Sequence, residues 1–195
     1  IVKPRTFAGV TVSAHAHSAE QIQLPPAKVL GAARGRARAF RPESLVSISG
    51  MSYGALSAPA VEALNRGAAL AGALHNTGEG GLSPYHQKGG DLVFQIGTAY
   101  FGVRDAEGRF DIDALVALTE KHPIRAIEIK LSQGAKPGLG GLLPAAKVTA
   151  EIGRIRGIPT DRECSSPSRH NAFHDVDSML YLAEENAERT GLPVG

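Results

Sequence analysis

The residues best suited to chemistry lie in the string EIKLSQGAKPGLGG at 128–141. Lys130 stands in a β-like run with Ile127, Ile129 and Leu131, and Gln133, Lys136 and Pro137 follow among glycines at 134, 138, 140 and 141. A strand that ends on Lys and Gln and opens into glycine suits backbone close to a flat or anionic ligand. A second loop, HNTGEGG at 75–81, follows another short apolar run, and Gln95 sits in FQIG near the end of a third. A buried amide must be hydrogen-bonded, so Gln95 fits either the donor–acceptor edge of a flavin or nucleobase, or a backbone partner. Lys130 shares a strand face with Glu128, opposite Ile127, Ile129 and Leu131. It reads either as a cation aimed into a polar mouth or as an outward, solvated lysine. Two polar glycine loops, each after a strand, suggest one ligand site built from several strand ends.

Other signals are weaker. KPGLGGLLPAAK has neither the GxxxxGK[ST] of a phosphate loop nor the GxGxxG of a dinucleotide fold. The GxSxG and Cys/His patterns of nucleophilic enzymes are absent. His170 and His174 have a spacing that could bind zinc on a helix, but Pro167 and Asp175 place them in a loop without a third ligand. Arg34, Arg36, Arg38 and Arg41 read as a solvated or subunit-contacting strip. The single cysteine, Cys164, excludes an intrachain disulfide and an all-cysteine cluster. It reads as a small buried hydrophobe and fits a reducing, cytoplasmic compartment.

The elements that position these residues follow an alternating rhythm. Strands are predicted at 45–50, 92–97 and 125–131, with a short apolar run at 72–75, a short segment at 163–166 and a last strand from 192. Helices are predicted at 58–71 (Ser57 as cap, Pro59 in the first turn), 111–121 (Asp111 as cap), 144–156 (entered at Pro144) and 176–189 (capped by Asp175). Strand–helix alternation implies βα units and a parallel sheet. Polar loops after every strand favour a TIM-type (β/α)8 barrel over a doubly wound sheet, which would gather them at one switch point. Against roughly 250 residues for a complete barrel, this chain holds about the first five strands and the start of the sixth, over 45–195, behind an extended lead-in at 1–44.

Composition agrees with a globular domain: 195 residues, 43% apolar and 21% charged. A formal charge of +2 gives no argument for nucleic acid, and no run is long enough to span a membrane. The chain begins at Ile1 and stops at Gly195 just inside an apolar run, so it reads as a fragment of a longer protein.

Together SGMSYGALS (49–57), NTGEGG (76–81), QIGTAYFGV (95–103) and EIKLSQGAKPGLGG (128–141) resemble the FMN-binding synthase domain of glutamate synthase, and its stand-alone relatives most of all. The resemblance implies an FMN-containing barrel that reduces 2-iminoglutarate, formed from 2-oxoglutarate and ammonia, to glutamate. It assigns flavin contacts to Met51, Ser52, Tyr53, Asn76, Thr77, Gln95, Lys130 and Gln133. It assigns the substrate side to Glu79, Lys136 and His170, with Lys136, Glu79 and Lys130 as the catalytic set. The electron donor is implied to be ferredoxin or an NADPH-linked subunit. A 3Fe–4S cluster and the FMN-phosphate loops are implied to lie beyond Gly195.

Three positions depart from the family pattern. Tyr100 replaces an arginine, Leu139 a glutamate, and Ala172 the aspartate that ends SPPPHHD. These departures put 2-oxoglutarate in question. One alternative is an N-methylglutamate synthase-type subunit, combining glutamate with methylamine. Another is an inactive half-barrel that needs a partner chain.

Overall fold

The computed structural model describes residues 28–134, 138–160 and 162–195. Its centre is a parallel sheet of β1 (Ser47–Ile48), β2 (Leu74–Asn76), β3 (Leu92–Ile96) and β4 (Ile124–Ile129), each strand beside its predecessor in the chain. Residues 193–195 extend that order. The Ile127 N–H donates to Pro193 O at 2.9 Å, and Ile129 N–H to Gly195 O at 2.8 Å, with a parallel bridge between Ile127 and Val194. An α/β sheet in strict sequential order is compatible with part of a (β/α)8 barrel.

The expected strand at 163–166 lies elsewhere. Cys164–Ser165 (β6) pairs antiparallel with Leu142–Leu143 (β5), outside the sheet. The sheet therefore holds four strands and the beginning of a fifth, one fewer than the sequence reading. Two residues on each side, joined through a 3-10 turn and a helix, make a clip too short for a barrel stave.

The helices follow their caps. α1 (Ala58–Ala71) starts after Ser57, whose side chain makes no capping bond, and stops at Gly72, where φ is 60°. α2 (Ile112–Lys121) starts where Asp111 accepts from the Asp113 and Ala114 N–H groups. The helix expected from 144 is split. Pro144 opens a single 3-10 turn, Ala145–Lys147, and α3 (Ala150–Arg156) begins only after Thr149, whose hydroxyl caps the Ile152 N–H at 3.2 Å. A threonine competing as a cap ends one helical turn and starts another. α4 (Val176–Thr190) opens on an Asp175–Ser178 capping box and closes at Gly191.

Strand alternation divides the sheet into two faces. Leu92, Phe94 and Ile96 of β3 join Ile124, Ile127, Leu115 and Leu192 in the core, on the face that meets the helices. Each such side chain contributes about 1.5–3 kcal/mol by leaving water. The other face carries Asn76, Val93, Gln95 and Glu128 and lines a concavity of ≈ 690 Å³.

The arginine segment is partly solvated, with Arg34 and Arg41 exposed, but three of its four arginines also have partners within the fold. Arg34 and Arg36 both pair with Glu184 of α4. Arg38 donates to Thr119 O and Thr190 O at 3.0 and 3.2 Å, at the carboxyl ends of α2 and α4. A cation shared by two helix termini meets orphan carbonyls and both dipoles. The lead-in, from residue 28 on, thus fastens α4 along its length and joins its carboxyl end to that of α2. Replacing Arg38 with Ala is expected to lower unfolding stability by about 1–3 kcal/mol, measured by urea denaturation.

Candidate active site

Three loops meet where the parallel strands end. The first is the turn after β1. Its Met51 N–H donates to Asn76 O at 3.2 Å, and Met51 O accepts from His86 Nε2 at 2.9 Å. His86 Nδ1 accepts from the Ser83 hydroxyl at 2.8 Å, so the proton sits on Nε2. Helix α3 clamps the same turn twice: the Tyr53 hydroxyl donates to Glu151 at 2.6 Å, and Arg156 donates to Tyr53 O at 3.1 Å. The Glu151 carboxylate, with burial second, pushes the Tyr53 phenol up to about 12.

The second loop is NTGEGG. Asn76 Oδ1 accepts from the Gly78 N–H at 2.9 Å, and Thr77 Oγ1 accepts from the Gln95 N–H at 3.1 Å while donating to Gly78 O. Gly78, at φ 67°, lies so close to the Ser52 backbone that an added Cβ would sit 2.6 Å from Ser52 N. The first two loops therefore touch through bare backbone. Thr77 is fully buried and its hydroxyl is spent inside the loop. Met51, Ser52 and Tyr53 are partly buried in the turn after β1 and are not among the residues that line the concavity.

The third loop follows β4 and supplies the charge. Lys130 Nζ lies 3.2 Å from Glu79 Oε1 and 3.1 Å from Gln133 Oε1, and Gln133 Nε2 donates to the same Glu79 oxygen at 2.6 Å. An added Cβ at Gly97 would fall 2.5 Å from Glu79 Cβ, so the carboxylate reaches Lys130 only across bare backbone. The return strand at Gly140 passes Ser166 O, where a Cβ would come within 1.7 Å. Lys136 lies outside the described residues.

Beneath this cluster, Asn76 Nδ2 and Gln95 Nε2 both donate to Glu128 Oε2, at 2.6 and 2.5 Å. Glu128 was not among the residues picked from sequence, although a second charge two positions before Lys130 was a usable signal. His86 and Arg156 were missed too. Nothing in their local sequence marks them, because their partners are backbone carbonyls far away in the chain.

His170 is brought to the site, but from behind. Its Nε2 donates to Lys130 O at 2.8 Å, and its Nδ1 accepts from the Tyr100 hydroxyl at 3.1 Å, so both ring nitrogens are committed. The Tyr100 oxygen also accepts from the Asn171 and Ala172 N–H groups at 3.0 and 3.1 Å. Tyr100 is 1% exposed, whereas Ala172 is exposed and meets it through its backbone N–H alone. His174 is exposed on an adjacent surface beside Asp175. Among the described residues, no group of three or more metal-ligating side chains comes together.

Three buried imidazoles are held neutral. Burial, with His86 a smaller cause, pushes His75 down to about 4, and burial also lowers His86 and His170. The unfolded chain protonates these rings near the ordinary value of about 6.5, whereas the folded chain does not. Stability is therefore full above that value and falls as pH drops from about 6.5 toward about 4. The urea midpoint is expected to be lower at about pH 5 than at about pH 7, and His75→Leu to flatten that slope. Gly97→Ala is expected to cost about 1–3 kcal/mol in thermal or urea unfolding and to move Glu79 off Lys130 in a crystal structure.

Comparison with known proteins bears on the same segments. A conserved region in glutamate synthase matches residues 12–188. The glutamate synthase large subunit-like protein YerD of Bacillus subtilis is 42% identical over 158 residues, which are 80% of this chain and 30% of that protein. The archaeal-type glutamate synthase [NADPH] of Thermotoga maritima is 37% identical over 153 residues, 77% of this chain and 28% of its own length. The archaeal glutamate synthase [NADPH] of Archaeoglobus fulgidus is 37% identical over 154 residues, with 78% and 28% covered. The chain thus spans less than a third of the length of these relatives. The match runs through all three loops of the site, and the chain belongs to the glutamate synthase family.

Proposed function

We propose that residues 45–195 form the first part of a (β/α)8 barrel whose strand ends hold FMN. The whole protein is then a cytoplasmic flavin-dependent oxidoreductase of glutamate-synthase type. Its reaction reduces an imine such as 2-iminoglutarate to the amino acid. The observation that carries this reading is the Lys130–Glu79–Gln133 cluster beside a concavity lined by the Asn76 and Gln95 amides.

The residues fit a flavin on physical grounds. The concavity of ≈ 690 Å³ lies in the range of small-molecule sites. Gly50 stands at its edge, where a Cβ would crowd the Gln95 and Asn76 amides at 3.2–3.3 Å. Bare backbone, amides and one cation suit a flat ring with a polar edge. When bound and reduced, the flavin supplies hydride to the imine carbon, and a proton completes the amine.

The chain's own residues bind and orient. The Lys130 ammonium stabilises negative charge on the ring's polar edge. Glu79 and Gln133 hold that ammonium in one position, which saves ordering entropy on binding. His170, with both nitrogens engaged, fixes the end of β4 and acts as a positioning residue rather than a substrate ligand. Lys136 remains, on the motif's evidence, the partner of a substrate carboxylate through a charge-assisted bond.

The Tyr100 hydroxyl is spent on His170 and on the backbone N–H groups of 171 and 172, so its replacement of an arginine does not by itself argue for a different substrate. A 2-oxoglutarate-type acid is the first reading, and the combination of glutamate with methylamine the alternative. NADPH in the names of two relatives supports a pyridine-nucleotide-linked electron supply over ferredoxin.

Denaturing the purified intact protein is expected to release a yellow cofactor with flavin absorbance, and a colourless supernatant overturns the reading. Lys130→Met is expected to weaken FMN binding about 10- to 100-fold, the equivalent of one lost charged hydrogen bond, measured by flavin fluorescence titration. Assaying 2-oxoglutarate plus ammonia against glutamate plus methylamine decides the substrate.

A further inference from the structure

We infer that Glu128 sets the hydrogen-bond polarity of the concavity wall, so that the wall selects a ligand whose facing edge carries an N–H donor. The ligand class, a flavin-like imide edge, rests on the function proposed above; the polarity itself does not.

An amide side chain can present either its oxygen or its nitrogen. Here the choice is forced along a chain of bonds. The Gly78 N–H donates to Asn76 Oδ1 at 2.9 Å, which leaves Asn76 Nδ2 as the end that faces Glu128. A carboxylate accepts only, so Gln95 must also offer its NH2 to the same Glu128 oxygen, at 2.5 Å. Both amides are more than nine-tenths buried, and neither can turn over without setting oxygen against oxygen.

The consequence falls on the atoms left over. Gln95 Oε1 is the end of the amide not bonded to Glu128, and it lies beside the bare backbone of Gly50, whose missing Cβ would stand 3.2 Å from it and 3.3 Å from Gln95 Nε2. No described residue donates to Gln95 Oε1 or to Glu128 Oε1, since both amides use Oε2. Both residues line the concavity, and Lys130 lines it as well. The wall therefore offers two acceptor oxygens, beside the second N–H of each amide, with an ammonium further along. A ligand edge that brings only acceptors would leave these oxygens unpaired, at a cost larger than the gain of any one bond. The imide N–H of an isoalloxazine meets the requirement; its N3-methyl derivative does not.

Glu128→Gln removes the constraint with almost no change of volume. A neutral amide at 128 can donate or accept, so Gln95 is free to turn over. The test uses the intact protein stripped of bound flavin and titrated with FMN and with N3-methyl-FMN. The wild type is expected to bind the methylated ring at least about tenfold more weakly. In Glu128→Gln that ratio is expected to shrink to less than about threefold. A variant that loses both ligands in equal proportion would mean a merely structural role and overturn the inference. Equal binding of the two flavins by the wild type would do the same.

A second measurement needs no ligand. In flavin-free protein with 15N-labelled Asn and Gln, the Asn76 and Gln95 side-chain NH2 resonances are expected to shift and exchange faster with water in Glu128→Gln. Unmoved resonances sink the polarity argument. If neither flavin binds while those resonances do shift, the polarity stands and the flavin function falls.

Discussion

A carboxylate on the inner face of a parallel sheet must be met by donors, and the placement of Glu128 organises the rest of the site. The pleat of β4 turns Glu128 to the concave side while Ile127 packs into the core. Its donors come from the two preceding strands, Asn76 at the end of β2 and Gln95 on β3. Asn76 then has its oxygen free to hold Gly78, and its backbone carbonyl holds Met51. One charge, satisfied across three strands, therefore fixes the register in which two loops meet.

The two ends of the sheet are built from opposite chemistry. At the strands' amino ends, Arg38 reaches the last turns of α2 and α4 from the lead-in, and Arg125 lies over Phe40, while Arg34 and Arg36 pair with Glu184 along α4. The Arg38 contacts brace the scaffold by charge against helix carboxyl ends. At the other end, carbonyls, amides and one ion pair are brought together by glycine close approaches at 78, 97 and 140. Arg156 links the loops there. It bonds Tyr53 O, lies over the Phe101 ring at 5.1 Å, and contacts Cys164 at 3.8 Å. A rigid base and a loop-built rim are what a binding site needs to hold ligand geometry.

Much of this was legible in the sequence because it is local. Asp111 and Asp175 announce helix starts through bonds to residues two or three positions away, and both occur as read. The alternation of β3 and β4 likewise shows which face is apolar. What the sequence hid depends on distant partners. Thr149 ended a helix that looked continuous from Pro144 because a cap and a helix interior have similar composition. The segment at 163–166 looked like a sheet strand, but only its pairing with Leu142–Leu143 decides which sheet it joins. The arginine run looked solvated because Glu184 and two helix carboxyl ends lie some 80 to 150 residues away. Within the site, the motif residues were visible as types, whereas Glu128 gains its meaning only from two amides on neighbouring strands.

The same logic governs how departures from a family pattern should be weighed. Tyr100 and Ala172 looked like two independent losses of charge at a substrate pocket. In the fold the Tyr100 oxygen accepts backbone N–H groups from 171 and 172 and donates to His170, while the Ala172 side chain stays exposed. Tyr100 takes a left-handed backbone, φ 52°, uncommon for a bulky side chain, so its position is held by the surrounding bonds and packing. His170 passes the position of Tyr100 to the carbonyl of Lys130. The Tyr100–His170 pair therefore supports the lysine from behind and leaves its partners Glu79 and Gln133, on the open side, intact.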